Sequence, residues 1–213
     1  MRRVISSLIL LLLAVPSLAA DHTLEGRVIK VIDGDTITIL DSKKRQHRIR
    51  LAGIDAPEKK QPFGNASRKQ LGDLVGGKNV RVDFDKFDHF RRIVGKVWVF
   101  PPDCPTCGKT LDVGLMQIKS GMAWWFRRYA HEQSREDRAR YEFAEREAKT
   151  EKIGLWRDVN PLPPWSFRHS NSNYIRGEAT PIIGTCGWQY RSCLVSCISK
   201  DNFLINDKRI NHS

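Results

Sequence analysis

Period-two alternation is the first pattern along this chain. In Asp35-Thr36-Ile37-Thr38-Ile39 and again in His47-Arg48-Ile49-Arg50-Leu51, apolar residues alternate with polar ones. Each stretch reads as a half-buried strand, and Asp41-Ser42-Lys43-Lys44 between them reads as the turn of an antiparallel pair. The wider pattern predicts strands over 24–32, 35–40, 47–53, 79–85 and 93–100, with a helix over 65–75 between the third and fourth. Five short strands with an inserted helix fit an α+β, mainly β architecture: a five-stranded Greek-key barrel of the oligonucleotide-binding (OB-fold) type with about three helices. Asp112 is placed to cap a second helix that runs through Lys119 and ends at Gly121. A longer helix is expected over 134–151, with Phe143 and Ala144 one turn beyond Ala139 and Arg140, and a dense charged face read as solvated. Gly154 stops it, so that Leu155-Trp156 can fold back onto the barrel. No internal repeat is visible.

The two ends differ from this middle. Met1-Arg2-Arg3, a mostly apolar run from Val4 to Val15 and the small residues of Ser17-Leu18-Ala19-Ala20 read as a signal peptide over 1–20. The run is shorter than the ~20 residues a membrane-spanning helix needs. The expected outcome is cleavage after Ala19 or Ala20 and export to the periplasm or the extracellular space. The body over 21–158 is followed by a proline-rich, then polar linker over 159–178, opened by Asn160-Pro161-Leu162-Pro163-Pro164-Trp165 and expected to be extended and then loosely ordered. A tail over 179–213 carries Trp188, Tyr190, Cys186, Cys193 and Cys197, and reads either as a small disulfide-stapled unit or as a disordered end.

Charge narrows the partners. The formal net charge is +12, and still +10 without Arg2 and Arg3. Such a surface favours polyanions, either nucleic acid or an anionic membrane face.

The chemistry concentrates in Asp33-Gly34-Asp35-Thr36 and Arg50-Leu51-Ala52-Gly53-Ile54-Asp55-Ala56-Pro57-Glu58. Strand pairing brings Asp35, at the start of one strand, opposite Asp55, at the end of its partner. Two hard oxygen ligands so placed suit Ca²⁺ or Mg²⁺. Arg50 and Glu58 then flank the ion as a phosphate clamp and a carboxylate able to handle the proton of a water.

These residues carry a resemblance. Together with Val31-Ile32 before Asp33, Phe63-Gly64-Asn65-Ala66-Ser67, Asp88-His89-Phe90-Arg91-Arg92-Ile93-Val94-Gly95, Gly121-Met122-Ala123 and Gly154-Leu155-Trp156, in that order, the chain from about residue 24 to 156 resembles the staphylococcal-nuclease-like thermonucleases. The resemblance implies a calcium-dependent, sugar-nonspecific endonuclease that cuts DNA and RNA phosphodiesters on an oligonucleotide-binding barrel. It implies Asp35, Asp55 and the main-chain carbonyl of Ala56 as Ca²⁺ ligands. Glu58 becomes the residue that orients or deprotonates the attacking water, and Arg50 and Arg92 contact the phosphate. Asp33 reads as a turn residue or a neighbour of the ligands. Two positions depart from the family pattern. Arg91 stands where glycine is usual before the second arginine, and Ala56 replaces a threonine seen in some members, which a carbonyl ligand tolerates.

Cys104 and Cys107 lie in a turn-rich loop outside the resembling blocks. A Cys-x-x-Cys pair can be a redox site, half of a zinc site or a loop-closing disulfide; in an exported protein the structural disulfide is the favoured reading. Of Met122-Ala123-Trp124-Trp125-Phe126-Arg127-Arg128-Tyr129, Trp125 and Phe126 read as core, whereas Arg127 and Tyr129, with Lys86, read as substrate-binding. No base-edge readout is evident, so the expected partner is nucleic acid held with low sequence specificity, single-stranded or frayed, by a monomer. The rival is a catalytically silent OB-fold nucleic-acid-binding protein of the envelope. Intact Asp35, Arg50, Asp55, Glu58 and Arg92 weigh against it.

Overall fold

The strand β1 (His22–Val31) pairs on both edges. Its first half lies antiparallel to β5 (Asn79–Phe87), with Thr23 opposite Asp83, and its second half lies antiparallel to β2 (Thr36–Leu40), with Val28 opposite Ile39. A register shift between Val28 and Lys30 adds the bend a closing barrel needs. The computed structural model describes residues 22–175 apart from Pro105. The signal peptide read over 1–20 and the tail over 179–213, with Cys186, Cys193 and Cys197, lie outside the described residues.

β2 pairs antiparallel with β3 (Gln46–Leu51), and β5 with β6 (Ile93–Val99). A parallel pairing of β3 with β6, Arg50 opposite Val94, closes the ring. The five-stranded barrel expected from the sequence is therefore present, and a short β7 (Leu111–Asp112) extends it beside β6. Inward positions of the alternating strands, Ile37, Ile39, Ile49, Val80, Val82, Val97 and Val99, are all at most 1% exposed. Complete burial of such a side chain contributes about 1.5–3 kcal/mol, so the period-two pattern holds the register: a one-residue slip would turn every one of them outward.

The β2–β3 turn is held by one side chain. Asp41 Oδ1 accepts from the backbone N–H groups of Lys43 (2.9 Å) and Arg45 (2.8 Å), and Oδ2 bonds Arg45 Nε (2.9 Å) and His47 Nε2 (2.9 Å). The bond with His47, then those with Arg45, hold its carboxyl far below the ordinary 3.8. Lys44 takes the left-handed conformation at φ 59° that closes the loop.

Three helices pack around the barrel. α1 (Gly64–Val75) follows β4 (Ile54–Asp55), a two-residue strand paired with β8 (Trp124–Trp125). α2 (Val113–Lys119) starts at Asp112, whose carboxylate accepts from Leu115 N–H at 3.1 Å, as the sequence predicts. The same carboxylate accepts from Tyr141 Oη at 3.0 Å and faces Lys96 Nζ at 3.3 Å, tying α3 (Arg135–Thr150) to α2 and the barrel. Burial first, then the Asp112 charge, push the Tyr141 phenol well above its ordinary value.

α3 differs from its expected face. Tyr141, Ala144, Glu145 and Ala148 are buried, whereas Phe143 is 49% exposed. Glu145 belongs to no solvated face either. It accepts from Trp125 N–H (3.1 Å) and bridges Lys149 (2.9 Å) and Arg127 (2.8 Å). A pattern read by hydropathy alone takes a charged residue for a surface one, whereas a carboxylate with three donors can be buried.

The connection after Trp156 also differs. Residues 161–163 have no regular structure, as a proline-rich link predicts, but a fourth helix, α4, spans Pro164–Ile175 in place of the expected loosely ordered polar segment. Pro164 occupies its first position, where a missing N–H costs nothing and the fixed φ suits a helix. The loop between β6 and β7 places Cys104 and Cys107 with their Cα atoms 5.4 Å apart, a separation that suits a disulfide. Gly121 and Gly154, from two separate sequence blocks, meet here: both have positive φ (63° and 57°), and Leu155 N–H donates to Gly121 O at 2.9 Å. A Cβ at Gly154 would lie 2.3 Å from Gly121 O, so neither position admits a side chain without movement.

Candidate active site

Asp35 reaches the site from the tight turn that leads from β1 into β2. Asp33 Oδ1 accepts from Asp35 N–H at 3.1 Å, closing that turn. Gly34 between them is required by crowding, since a Cβ there would lie 1.9 Å from Ser67 Oγ of α1 and 2.7 Å from Ala56 Cβ. Gln117 of α2 fixes the turn from behind, its Nε2 donating to Gly34 O at 2.7 Å and to Ser67 O at 3.2 Å. Asp35 is thus placed by two helices as well as by its turn.

Asp55 arrives differently from the expectation. β3 ends at Leu51, the chain turns through Gly53 (φ 75°), and Asp55 sits on the separate β4, paired opposite Trp124. The outcome for the carboxylates is still convergence. Arg50, opposite Thr36 on β3, places Nη1 3.2 Å from Asp35 Oδ2 and Nη2 2.9 Å from Asp55 Oδ1, and Nη1 also donates to the carbonyls of Leu51 (3.0 Å) and Ile54 (2.9 Å). Both acids therefore share one guanidinium. Asp35 Oδ2 additionally accepts from Ala56 N–H at 2.8 Å.

Arg92 enters from the β5–β6 turn, which repeats the architecture of the β2–β3 turn. Asp88 Oδ1 accepts from the N–H groups of Phe90 and Arg92 at 2.9 Å each, and Oδ2 accepts from Arg92 Nε at 2.7 Å. Desolvation alone would raise the Asp88 pKa, but the bonds from Arg92 and Phe90 together outweigh it and lower the value. Arg91, at φ 58°, fills the left-handed position that Lys44 fills in the twin turn. Glycine adopts that conformation without penalty, whereas a side chain there carries a conformational cost. Arg91→Gly is expected to raise the urea unfolding free energy by about 0.5–1 kcal/mol, the left-handed penalty of a side chain less the added entropy of glycine.

Asp33, Asp35, Arg50, Asp55, Ala56, Glu58, Lys86, Arg92 and Tyr129 all line one cavity of about 530 Å³. Its rim adds Phe87 and Phe90, 63% and 65% exposed. Lys86 pairs with Glu132 and lies 5.2 Å from the Tyr129 ring centroid. Phe126, expected in the core, is only partly buried; it lines this cavity and stacks at 5.5 Å on Trp165, whereas Trp125 is buried as expected. Arg127 stands apart from the cavity lining. It is held by Glu145 and by the Trp125 ring, 4.5 Å from its guanidinium.

The site's charge is unusual for its burial. Desolvation, then the neighbouring Asp35, push Asp33 up to about 7, and desolvation raises Asp55 although Arg168 and Arg50 oppose it. Arg168, which no sequence motif singles out, comes from α4: its Nη1 donates to Glu58 Oε1 (2.7 Å) and Asp55 Oδ1 (3.2 Å), and its Nη2 to Asp55 Oδ2 (2.7 Å). Burial works against its charge, but the bonds to Asp55 and Glu58 outweigh it and raise its pKa.

Among the described residues, no group of three or more His, Cys, Asp or Glu side chains is arranged to hold a metal ion. A cation here would therefore rest on two buried aspartates completed by main-chain and water oxygens. That donor set fits Ca²⁺, which takes hard oxygen ligands in flexible geometry. The guanidiniums bound to Asp35 and Asp55 mark both carboxylates as acceptors of positive charge.

Residues 48–158 match the model of the staphylococcal nuclease homologue family. The chain is 39% identical over 162 residues to an uncharacterized endonuclease of Escherichia coli, covering 76% of this chain and 95% of that one. It is 35% identical over 173 residues to a micrococcal nuclease of Shigella flexneri, covering 80% and 94%, and 35% identical over 167 residues to an uncharacterized endonuclease of Haemophilus influenzae, covering 78% and 85%. With the closed barrel and the convergence of acids and arginines in one cavity, these similarities make the chain a member of the staphylococcal nuclease family.

Proposed function

We propose that the protein is an exported, Ca²⁺-dependent endonuclease that hydrolyses DNA and RNA phosphodiesters with low sequence specificity. Family membership and the named relatives support the nuclease. The observation that carries the mechanism is the meeting of Asp35, Asp55, Arg50, Arg92 and Glu58 in one cavity. Phosphodiester hydrolysis builds negative charge on the phosphorus oxygens, needs a water aimed in line, and needs the leaving oxygen stabilised.

Each need has a residue. Asp35, Asp55 and the Ala56 carbonyl would hold Ca²⁺, which when bound supplies Lewis-acid stabilisation of a non-bridging oxygen. Arg50, oriented by two carbonyls and two carboxylates, and Arg92, held by Asp88, offer planar forks to the remaining oxygens. Glu58, with 38% of its side chain exposed, is accessible to a water and accepts its proton or orients it. Asp88 is a positioning residue, acting through Arg92. Tyr129, Phe87 and Phe90 give flat faces for unpaired bases and Lys86 a cation beside them, which suits single-stranded or frayed substrates. Export rests on residues 1–20, and a monomer is the expected form.

The test is cleavage of single-stranded and duplex DNA and of RNA by the purified protein with Ca²⁺ and then with chelator. Cutting of all three with Ca²⁺, abolished by chelator, is the expected result. Salt-sensitive binding without cutting would replace this reading by the silent binding protein.

A further inference from the structure

Arg168 reaches the cavity from outside the barrel and outside the 48–158 stretch that matches the family model. Its placement is anchored. Gln61 Nε2 donates to Leu162 O just before α4. Trp165 stacks on Phe126 with ring centroids 5.5 Å apart and planes at 21°, and meets Trp124 edge-on at 5.5 Å. Arg168 lies three residues after Trp165, hence on the same face of α4. The aromatic contact thus delivers the guanidinium to Asp55 and Glu58.

What it does there follows from the acceptor count. Asp55 Oδ1 accepts from both Arg50 and Arg168, and Oδ2 accepts from Arg168. Lone pairs committed to N–H groups are not available to a cation, and a guanidinium and a divalent ion sharing one carboxylate repel at a few ångströms. Occupancy by one therefore opposes occupancy by the other.

On the reading that Asp55 is a Ca²⁺ ligand, we propose that Arg168 is a tethered counter-cation of the site, holding Asp55 and Glu58 until the divalent ion displaces it, so that α4 sets the Ca²⁺ threshold of the enzyme. The apparent affinity is lowered by the fraction of molecules in which Arg168 is engaged. Displacement also frees Glu58 from its bond to Arg168, which links ion binding to release of the carboxylate that faces the water.

Isothermal titration of Ca²⁺ into the wild-type protein and Arg168→Ala tests this without measuring activity. Arg168→Ala is expected to bind about tenfold more tightly, with Arg168→Lys between the two. Thermal melts give the second readout. Arg168→Ala should melt below the wild type in chelator, and the gap should close at saturating Ca²⁺, because the lost bonds belong to the displaced state. Equal or weaker Ca²⁺ binding by Arg168→Ala, or a melting gap that Ca²⁺ does not change, would overturn the proposal and leave Arg168 as a structural contact while the calcium reading stands. No binding heat in any variant would instead sink the calcium reading and this proposal with it.

Discussion

Glu58→Gln is expected to lower kcat by about 10²–10⁴-fold, the usual contribution of a positioned general base, with the thermal midpoint in chelator changed little. The side chain is 38% exposed, and its bond in the structure is to Arg168. Its backbone position is secured independently, by Glu58 N–H donating to Gln61 Oε1 at 3.1 Å and by Glu58 O accepting from Gln61 N–H at 2.8 Å. Removing the charge therefore leaves the 58–61 turn intact. The comparison with Glu58→Ala separates the two roles. An amide still accepts a hydrogen bond from water but does not take its proton at neutral pH. If Glu58 is the base, Gln and Ala lose similar amounts; if it only aims the water, Gln retains much more activity than Ala. A loss under about tenfold in both variants would remove Glu58 from the mechanism.

The sequence disclosed the site because much of it is written in strand register. Alternation fixes which face each residue takes, and pairing of Thr36 with Arg50 then places the arginine beside the turn that carries Asp35. Arg92 is legible through its block, but its orientation depends on Asp88, whose role is carried by the spacing Asp-x-x-x-Arg and its repetition in Asp41 to Arg45. That repetition stands in the sequence as a signal.

Other parts are not legible, for identifiable reasons. Asp55 lies on β4 because Gly53 turns the chain and Trp124-Trp125 supply a partner far along the sequence, a pairing too short to leave a periodic trace. Arg127 is half exposed, as arginine beside aromatics leads one to expect, but its ion pair with the buried Glu145 on α3 leaves no local signal. Arg168 reaches acids 110 and 113 positions away. Nothing local distinguishes it from other arginines in a basic chain, and the proline-rich stretch before it suggests a link rather than a helix that returns to the site.

Arg50→Ala is expected to affect both rate and stability, whereas Arg92→Ala should affect chiefly the rate. Arg50 is 15% exposed, between Asp55 at 1% and Asp35 at 9%, and it also serves two main-chain carbonyls. Truncation leaves the buried Asp35 without the Arg50 cation and Asp55 with Arg168 alone, and removing one partner of a buried pair costs about 3–5 kcal/mol. It also removes a fork from the phosphate, for which a loss of about 10²–10³-fold in kcat is typical of one preorganised donor. Arg92 pairs with Asp88 at 22% and 16% exposure, closer to solvent, and its loop keeps the Asp88 bonds to backbone N–H groups without the side chain. Urea unfolding and steady-state cleavage of both variants check the contrast. Saturating Ca²⁺ supplies a second discriminator: an ion held by Asp35 and Asp55 replaces the charge lost in Arg50→Ala, so its stability deficit should narrow with Ca²⁺ while its rate deficit remains. A deficit in stability that Ca²⁺ leaves untouched would mean that the two aspartates do not hold the ion together.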